Sequence, residues 1–349
     1  MNNSTYAIEK NFLNSTFSTD YTHSTNKYTK LGINDNYYYY SINPLIKYKE
    51  DFDKSNNYDD KFTQYKKHED KKNEEGKKSN MVNFAAAGDW DCGSDAKKTA
   101  KQIKKMEPEL VIGLGDYSYN SKAKCWLKIV SDFSDTMRIS LGNHDVDSSK
   151  KLRDLMDHFN LEKQYYSFNF KNIHFISMSV EVPFEDDSKQ YKFVEQDLKQ
   201  YSSDPFIDWI VVFYHEQAYG SGSSPDVNED FREVYHPLFD KYGVDLALQG
   251  HQHIYERTYP LKYNDDDDDE PFIVNDNYNK YNKEDGTIFV TVGTGGVSLG
   301  DFDKAEDYTA ERFSDFGYLN IDLLKNGKIL KGTFYDHKNK PLDEFEIKK

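Results

Sequence analysis

The chain has 349 residues, 37% of them apolar, and carries 45 basic against 61 acidic side chains for a net charge of −16. That balance excludes a general nucleic-acid binder, because phosphate backbones are gripped by clustered Lys and Arg. It leaves room for a small phosphorylated substrate, since bound metal ions reverse the local field of an acidic protein.

Residues 1–80 are rich in Asn, Tyr, Lys, Ser and Asp, include the run Tyr37-Tyr38-Tyr39-Tyr40, and hold neither helical nor strand periodicity for long. Such a segment buries too little apolar area to offset its conformational entropy, so a disordered extension is expected. An extended arm docked through its tyrosines is the alternative. The N-terminal Met1-Asn2-Asn3-Ser4-Thr5-Tyr6 lacks the basic and apolar regions of a secretory signal, and no run of 18 apolar residues is present to span a membrane. The expectation is therefore cytoplasmic residence with no membrane partner.

A folded domain is expected over residues 81–349. Short apolar runs predict strands at Val82 to Ala87, Leu110 to Leu114, Met137 to Leu141, Tyr165 to Phe170, Ile173 to Ser179, Ile207 to Tyr214, Val244 to Leu248, Thr287 to Val292, Phe316 to Leu324 and Lys328 to Tyr335. Between the first two, a helix is predicted from Asp95 to Met106, with Ser94 as N-cap and Pro108 just past its end. Strand, helix, strand implies parallel pairing through a right-handed crossover. Later links such as Lys171-Asn172 and Lys325-Asn326-Gly327 read as antiparallel hairpins. The fold class is mixed α/β, with two packed β-sheets and helices outside. An insertion at residues 262–286 carries Asp265-Asp266-Asp267-Asp268-Asp269-Glu270, whose self-repulsion predicts a solvated loop and whose spacing does not match an EF-hand.

Five polar turns follow apolar runs: Gly88-Asp89-Trp90-Asp91, Gly115-Asp116-Tyr117-Ser118-Tyr119, Gly142-Asn143-His144-Asp145, Tyr214-His215-Glu216 and Gly250-His251-Gln252-His253. Loops at the carboxyl ends of strands converge on ligands in open α/β sheets. His251 and His253 would point to opposite sides of a continuing strand, so a shared metal task requires the backbone to turn there, which Gly250 permits. One ion needs about four protein donors, and these turns offer more. The surplus points to two ions, an arrangement suited to phosphate ester hydrolysis.

This set resembles the five-block signature of the calcineurin-like metallophosphoesterases, and within them the purple acid phosphatases, whose second block ends in an iron-binding tyrosine, the role Tyr119 would take here. Tyr255-Glu256-Arg257-Thr258-Tyr259-Pro260 and Phe316-Gly317-Tyr318-Leu319 extend the likeness over roughly residues 82 to 347. The resemblance implies a four-layer αββα sandwich in which Asp89, Asp116, Tyr119 and His253 hold Fe(III). Asp116 would bridge, and Asn143, His215 and His251 would complete a second ion, Fe(II), Zn(II) or Mn(II). It implies a phosphomonoesterase in which hydroxide held by the two ions attacks phosphorus in line, with His144 contacting the phosphate and assisting the leaving alcohol. A phosphodiesterase acting on cyclic nucleotides or lipid head groups is the alternative, and a non-catalytic scaffold a third reading. Neither oligomeric state nor substrate follows from the sequence.

The match is uneven. Asp91 stands where family members usually carry Gly, and reads either as an extra oxygen donor or as an outward turn residue. Glu216-Gln217 replaces the usual approach to a Pro after the fourth-block histidine, and no histidine follows until His236, which is expected to pack on a helix. Two cysteines make no disulfide framework, so reduced thiols are expected, Cys92 as a small buried residue and Cys125 in core packing. Glu256 and Arg257 are expected to pair with each other, and Gly293-Thr294-Gly295-Gly296 to form a tight turn at the rim.

Overall fold

The computed structural model describes residues 31–33, 36–38, 82–120, 122–267 and 269–349. Two three-residue strands, Leu31–Ile33 and Asn36–Tyr38, pair antiparallel in a stretch where no strand was expected. The remaining expectations for residues 1–80, the disordered extension and the docked tyrosine arm, fall outside the described residues.

From Val82 onward the chain builds two seven-stranded mixed sheets. At the heart of the first, Val82–Ala87, Leu110–Leu114 and Met137–Ser140 run parallel, and the long strands Gly317–Leu324, Ile329–Asp336 and Pro341–Lys348 extend it antiparallel. In the second, Ile173–Ser177, Trp209–Phe213, Leu246–Gln249 and Ile288–Val292 run parallel, with Tyr255–Thr258 and Tyr166–Phe170 antiparallel to them. Parallel strands covered on both faces need apolar residues throughout. Trp-Ile-Val-Val-Phe at 209–213 meets that requirement, with every residue buried.

Strand periodicity then sorts these residues into layers. Phe175, Val211, Phe213, Leu246, Leu248 and Val290 face the first sheet, while their neighbours Ile176, Ile210, Val212, Ala247 and Phe289 face helices Lys189–Tyr201 and Glu229–Tyr242. Phe84 of the first sheet meets Phe175 of the second edge to face at 5.1 Å, and Tyr255 stacks on Phe334 at 4.1 Å. Helix Ser94–Met106 covers the outer side of the first sheet through Ala96, Ala100 and Ile103. The result is the four-layer arrangement of helices, two sheets and helices.

Strand and helix ends differ in detail from expectation. Ser94 is the first helical residue and Gly93 occupies the cap position; Asp95 and Lys98 complement the first turn instead. The helix stops at Glu107, whose φ of 52° turns the chain left-handed before Pro108. The strands Tyr255–Thr258, Thr309–Phe313 and Pro341–Lys348 were not anticipated, because their charged residues mask the alternation.

The expected pairing of Glu256 with Arg257 does not occur. Adjacent strand residues point to opposite faces, so one of the two must enter the space between the sheets. Arg257 does so, fully buried, and binds Asp343 through Nε (2.6 Å) and Nη2 (3.0 Å), with Tyr281 Oη accepting from Nη1 at 2.7 Å. Glu256 faces the other way and accepts from Ser221 and Thr309. Removing one member of a buried, hydrogen-bonded ion pair strands the other in low dielectric. Asp343→Ala is expected to cost about 3–5 kcal/mol of stability, read from urea unfolding monitored by circular dichroism.

Candidate metal centre

The parallel cores of both sheets end at the same edge, so the turns after five strands meet there. Asp89, Asp116 and His251 have φ values of 56°, 52° and 70°. Left-handed backbone is uncommon outside Gly and tolerated best by short polar residues, and here it bends each chain sharply inward as its strand stops. The turn expected at Gly250 is thus made by His251 itself. Gly250 serves close approach instead: a Cβ there would sit 2.8 Å from Asp89 Oδ2. At Gly142 a Cβ would lie 2.4 Å from Asp116 Oδ1 and 2.6 Å from His215 Cδ2, so any side chain would displace both.

The donors gather in two adjoining groups. In one, Tyr119 Oη lies 3.2 Å from Asp89 Oδ1 and 2.9 Å from His253 Nε2, and His253 Nε2 is 3.6 Å from the same carboxylate oxygen. In the other, His215 Nε2 lies 3.3 Å from Asp116 Oδ2 and 3.2 Å from His251 Nδ1, and ligand atoms of these three residues all fall within 4.8 Å of one another. The groups are joined where the His251 backbone N–H donates to Asp89 Oδ2 at 2.9 Å. Asn143 stands between Gly142, packed against Asp116 and His215, and His144, whose N–H donates to Asp116, and its buried Oδ1 accepts from nothing among the described residues.

Hydrogen bonding at the far side of two rings fits them as ligands. His215 Nδ1 meets the Leu114 carbonyl at 2.7 Å and His253 Nδ1 meets that of Ser298 at 2.9 Å. A carbonyl can only accept, so each ring carries its proton there and turns Nε2 inward, the arrangement common to metal-bound histidines. The charges are consistent with this. Burial, reinforced by the nearby Asp116 carboxylate, pushes Asp89 up to about 8 despite His215 and the His251 N–H. Burial opposes the charge on Asp116 as well, but His215 and His144 outweigh it and hold that carboxyl down at about 2. His215 is raised to about 10, Asp116 overcoming the effect of burial, whereas burial and the His215 charge press His251 down to about 3. Dry carboxylates packed this closely call for a compensating cation, and an unsatisfied amide oxygen beside them offers it a donor.

His144 stands apart from both groups. Its backbone N–H donates to Asp116 Oδ1 at 2.9 Å, its ring packs on Tyr119 with centroids 4.4 Å apart, and 43% of its side chain remains exposed. Asp91 points elsewhere, accepting from Asn120 Nδ2 at 3.4 Å on the exposed side of the turn. His236 is buried in its helix against Tyr219 Oη, as expected. Gln217, in place of a proline, donates to the carbonyls of Pro225 and Asp226 and so pins the loop behind His215. Gly295 and Gly296 donate to the carbonyls of Gly88 and Asp89, so the turn after Ile288–Val292 clamps the first ligand loop.

Two features escaped the sequence reading. Asp145 is fully buried and accepts from the N–H groups of Asp116, Tyr117 and Gly142, tying the second block to the third; the capping-box position of Asp145 in Gly142-Asn143-His144-Asp145 was the available signal. The expectation of reduced thiols is also overturned: Cys92 and Cys125 form a disulfide with Cα atoms 5.7 Å apart. They lie just beyond Asp89 and Tyr119, Cys92 in a turn and Cys125 in helix Lys124–Ile129, and folding brings together what 33 positions separate in the chain.

The model of the calcineurin-like phosphoesterase family matches residues 82–255. The chain belongs to this family. Among calcineurin-like phosphoesterases it is 26% identical over 267 residues to purple acid phosphatase 21 of Arabidopsis thaliana, covering 70% of this chain and 57% of that one. It is 24% identical over 272 residues to a phosphoenolpyruvate phosphatase of Allium cepa, covering 69% and 55%. The chain thus spans little more than half the length of these relatives. Its fold is similar to purple acid phosphatase PPD1 from yellow lupin (Lupinus luteus) seeds, with a TM-score of 0.66 at 23% identity over 78% of this chain and 54% of that one. The fold is also similar to that of GAP50, the anchor in the inner membrane complex of Plasmodium, at a TM-score of 0.58 and 16% identity, covering 77% of this chain and 89% of that one.

The disulfide ties the turn after Asp89 to the start of helix Lys124–Ile129, and closing a loop of that length restricts the unfolded chain. Cys92→Ser/Cys125→Ser is expected to lower stability by about 2–4 kcal/mol, and dithiothreitol to lower the melting temperature of the parent chain but not of the double variant.

Proposed function

We propose that the protein is a dinuclear metal-dependent phosphomonoesterase. The observation that carries this reading is the pair of adjoining donor groups around Asp89 and Asp116, together with the buried Asn143 Oδ1, which accepts from nothing among the described residues. Asp89, Asp116, Tyr119 and His253 would hold one ion, and Asp116, Asn143, His215 and His251 a second. Carboxylate and phenolate are hard donors suited to Fe(III), while imidazole and amide oxygen accept Fe(II), Zn(II) or Mn(II). When bound, such a pair lowers the pKa of water and neutralises charge on phosphoryl oxygens.

The protein's own groups supply the rest. Leu114 and Ser298 carbonyls fix the histidine tautomers, and Asp145 fixes the backbone of Asp116, so the donors need no reorganisation on binding. The half-exposed His144 ring, resting on Tyr119, is placed to meet a phosphate and pass a proton to the departing alkoxide. A small phosphorylated substrate fits an open site of this kind. The phosphodiesterase and scaffold readings predict different behaviour: preference for diesters in the first, and no turnover despite bound metal in the second.

The disulfide bears on location as well. Such bonds persist in oxidising surroundings and are rare in the cytosol. We therefore place the protein in an oxidising compartment, against the cytoplasmic expectation; none of its helices among the described residues is long and apolar enough to cross a membrane.

Protein reconstituted with iron, zinc or manganese is expected to hydrolyse an aryl phosphate monoester faster than the corresponding diester, and to stop when chelated and dialysed. Asp116→Asn is expected to cut kcat/KM by at least about a hundredfold, the upper end of what losing an outer partner of a metal site costs. Two bound ions without hydrolysis of either ester would overturn the proposal.

A further inference from the structure

Lys151 is the third residue of helix Ser149–Phe159, and its side chain is completely buried. Burying an ammonium is costly unless every N–H finds an acceptor. Three acceptor groups surround Nζ: the Ser118 carbonyl at 2.9 Å, the His144 carbonyl, and the Asp147 carboxylate at 3.1 Å. Three donors thus meet three partners. Neither the planar fork of Arg nor an apolar side chain could reproduce this.

The partners are what give the contact its meaning. Ser118 lies between Asp116 and Tyr119 in the second block, and its hydroxyl lies 3.7 and 3.6 Å from the two disulfide sulfurs. His144 sits in the single turn Asn143–Val146, too short to be rigid alone, and its ring rests on Tyr119. One ammonium therefore fastens the backbone beneath Tyr119 to the backbone beneath His144. We infer that Lys151 is a positioning residue that holds the His144 imidazole against Tyr119 at the mouth of the site. Packing alone would be served as well by an apolar side chain, without the desolvation cost of a charge.

The activity arm of a test rests on the phosphatase reading; a spectroscopic arm on metal-free full-length protein does not, so the two can fail separately. Packing on the Tyr119 ring should shift the His144 ring protons in the NMR spectrum, with His144→Ala assigning them. Lys151→Met is expected to fold, to lose that shift, and to reduce kcat on an aryl phosphate by about ten- to a hundredfold, the scale set by a misplacement of about 1 Å, with KM within about twofold. Lys150→Met, at an exposed neighbour paired with Asp154, is expected to change neither. A folded Lys151→Met protein with the parent shift and kcat would overturn the inference. Should that variant not fold, Lys151→Gln, which keeps two donors, decides by the same measurements. Parent-like values, or failure of Lys151→Gln to fold as well, would reduce Lys151 to a structural residue and overturn it.

Discussion

The structure is organised around one electrostatic problem, the burial of Asp89 and Asp116 side by side at the seam where two sheets end. Two carboxylates out of water repel one another and lose their hydration, and no hydrophobic packing nearby compensates for that. Every surrounding element answers this crowding. Backbone N–H groups of His144 and His251 donate to the oxygens, His215 brings positive charge, and Tyr119 brings a hydroxyl. A site so arranged is matched to cations, and that match, not a cleft of particular shape, is what the loops have in common.

Holding such a site requires stiffness, because donors that repel will drift apart if their loops can move. The sheets supply most of it: strands in parallel register stop together, so their turns start from fixed points. The remainder comes from cross-links between turns. Asp145 joins the second to the third, the Gly295 and Gly296 amides clamp the first, Gln217 braces the fourth, and the Cys92–Cys125 disulfide staples the first to the segment after the second. Lys151 belongs to the same set. The sheets in turn are tied by Arg257 and Asp343, a buried pair between the layers.

Much of this was legible in the sequence. Hydrophobic runs of four to eight residues marked the parallel strands because strands buried on both faces admit little else, and the placing of Gly before Asp, Asn or His at their ends marked the turns. The antiparallel strands at Tyr255–Thr258, Thr309–Phe313 and Pro341–Lys348 were less visible, since each carries charged side chains on both faces and so breaks the alternation of apolar and polar residues. Arg257 illustrates the limit. Its neighbour Glu256 is the obvious partner in one dimension, yet strand geometry sends the two to opposite faces and gives Arg257 a partner 86 positions away.

By itself the sequence determined the class of fold and the order of the five polar turns, because each depends on local composition and on periodicity along the chain; a metal-binding role for their side chains is what the family resemblance implied. Only the tertiary structure decided that His251 and not Gly250 makes the turn, that the two cysteines are joined, and that Asp145 and Lys151 bind the blocks together. Those are relations between segments far apart in the chain, and a hydrogen bond, a disulfide or a shared charge depends on distance in space, which the packing of two sheets sets and the spelling of either strand does not.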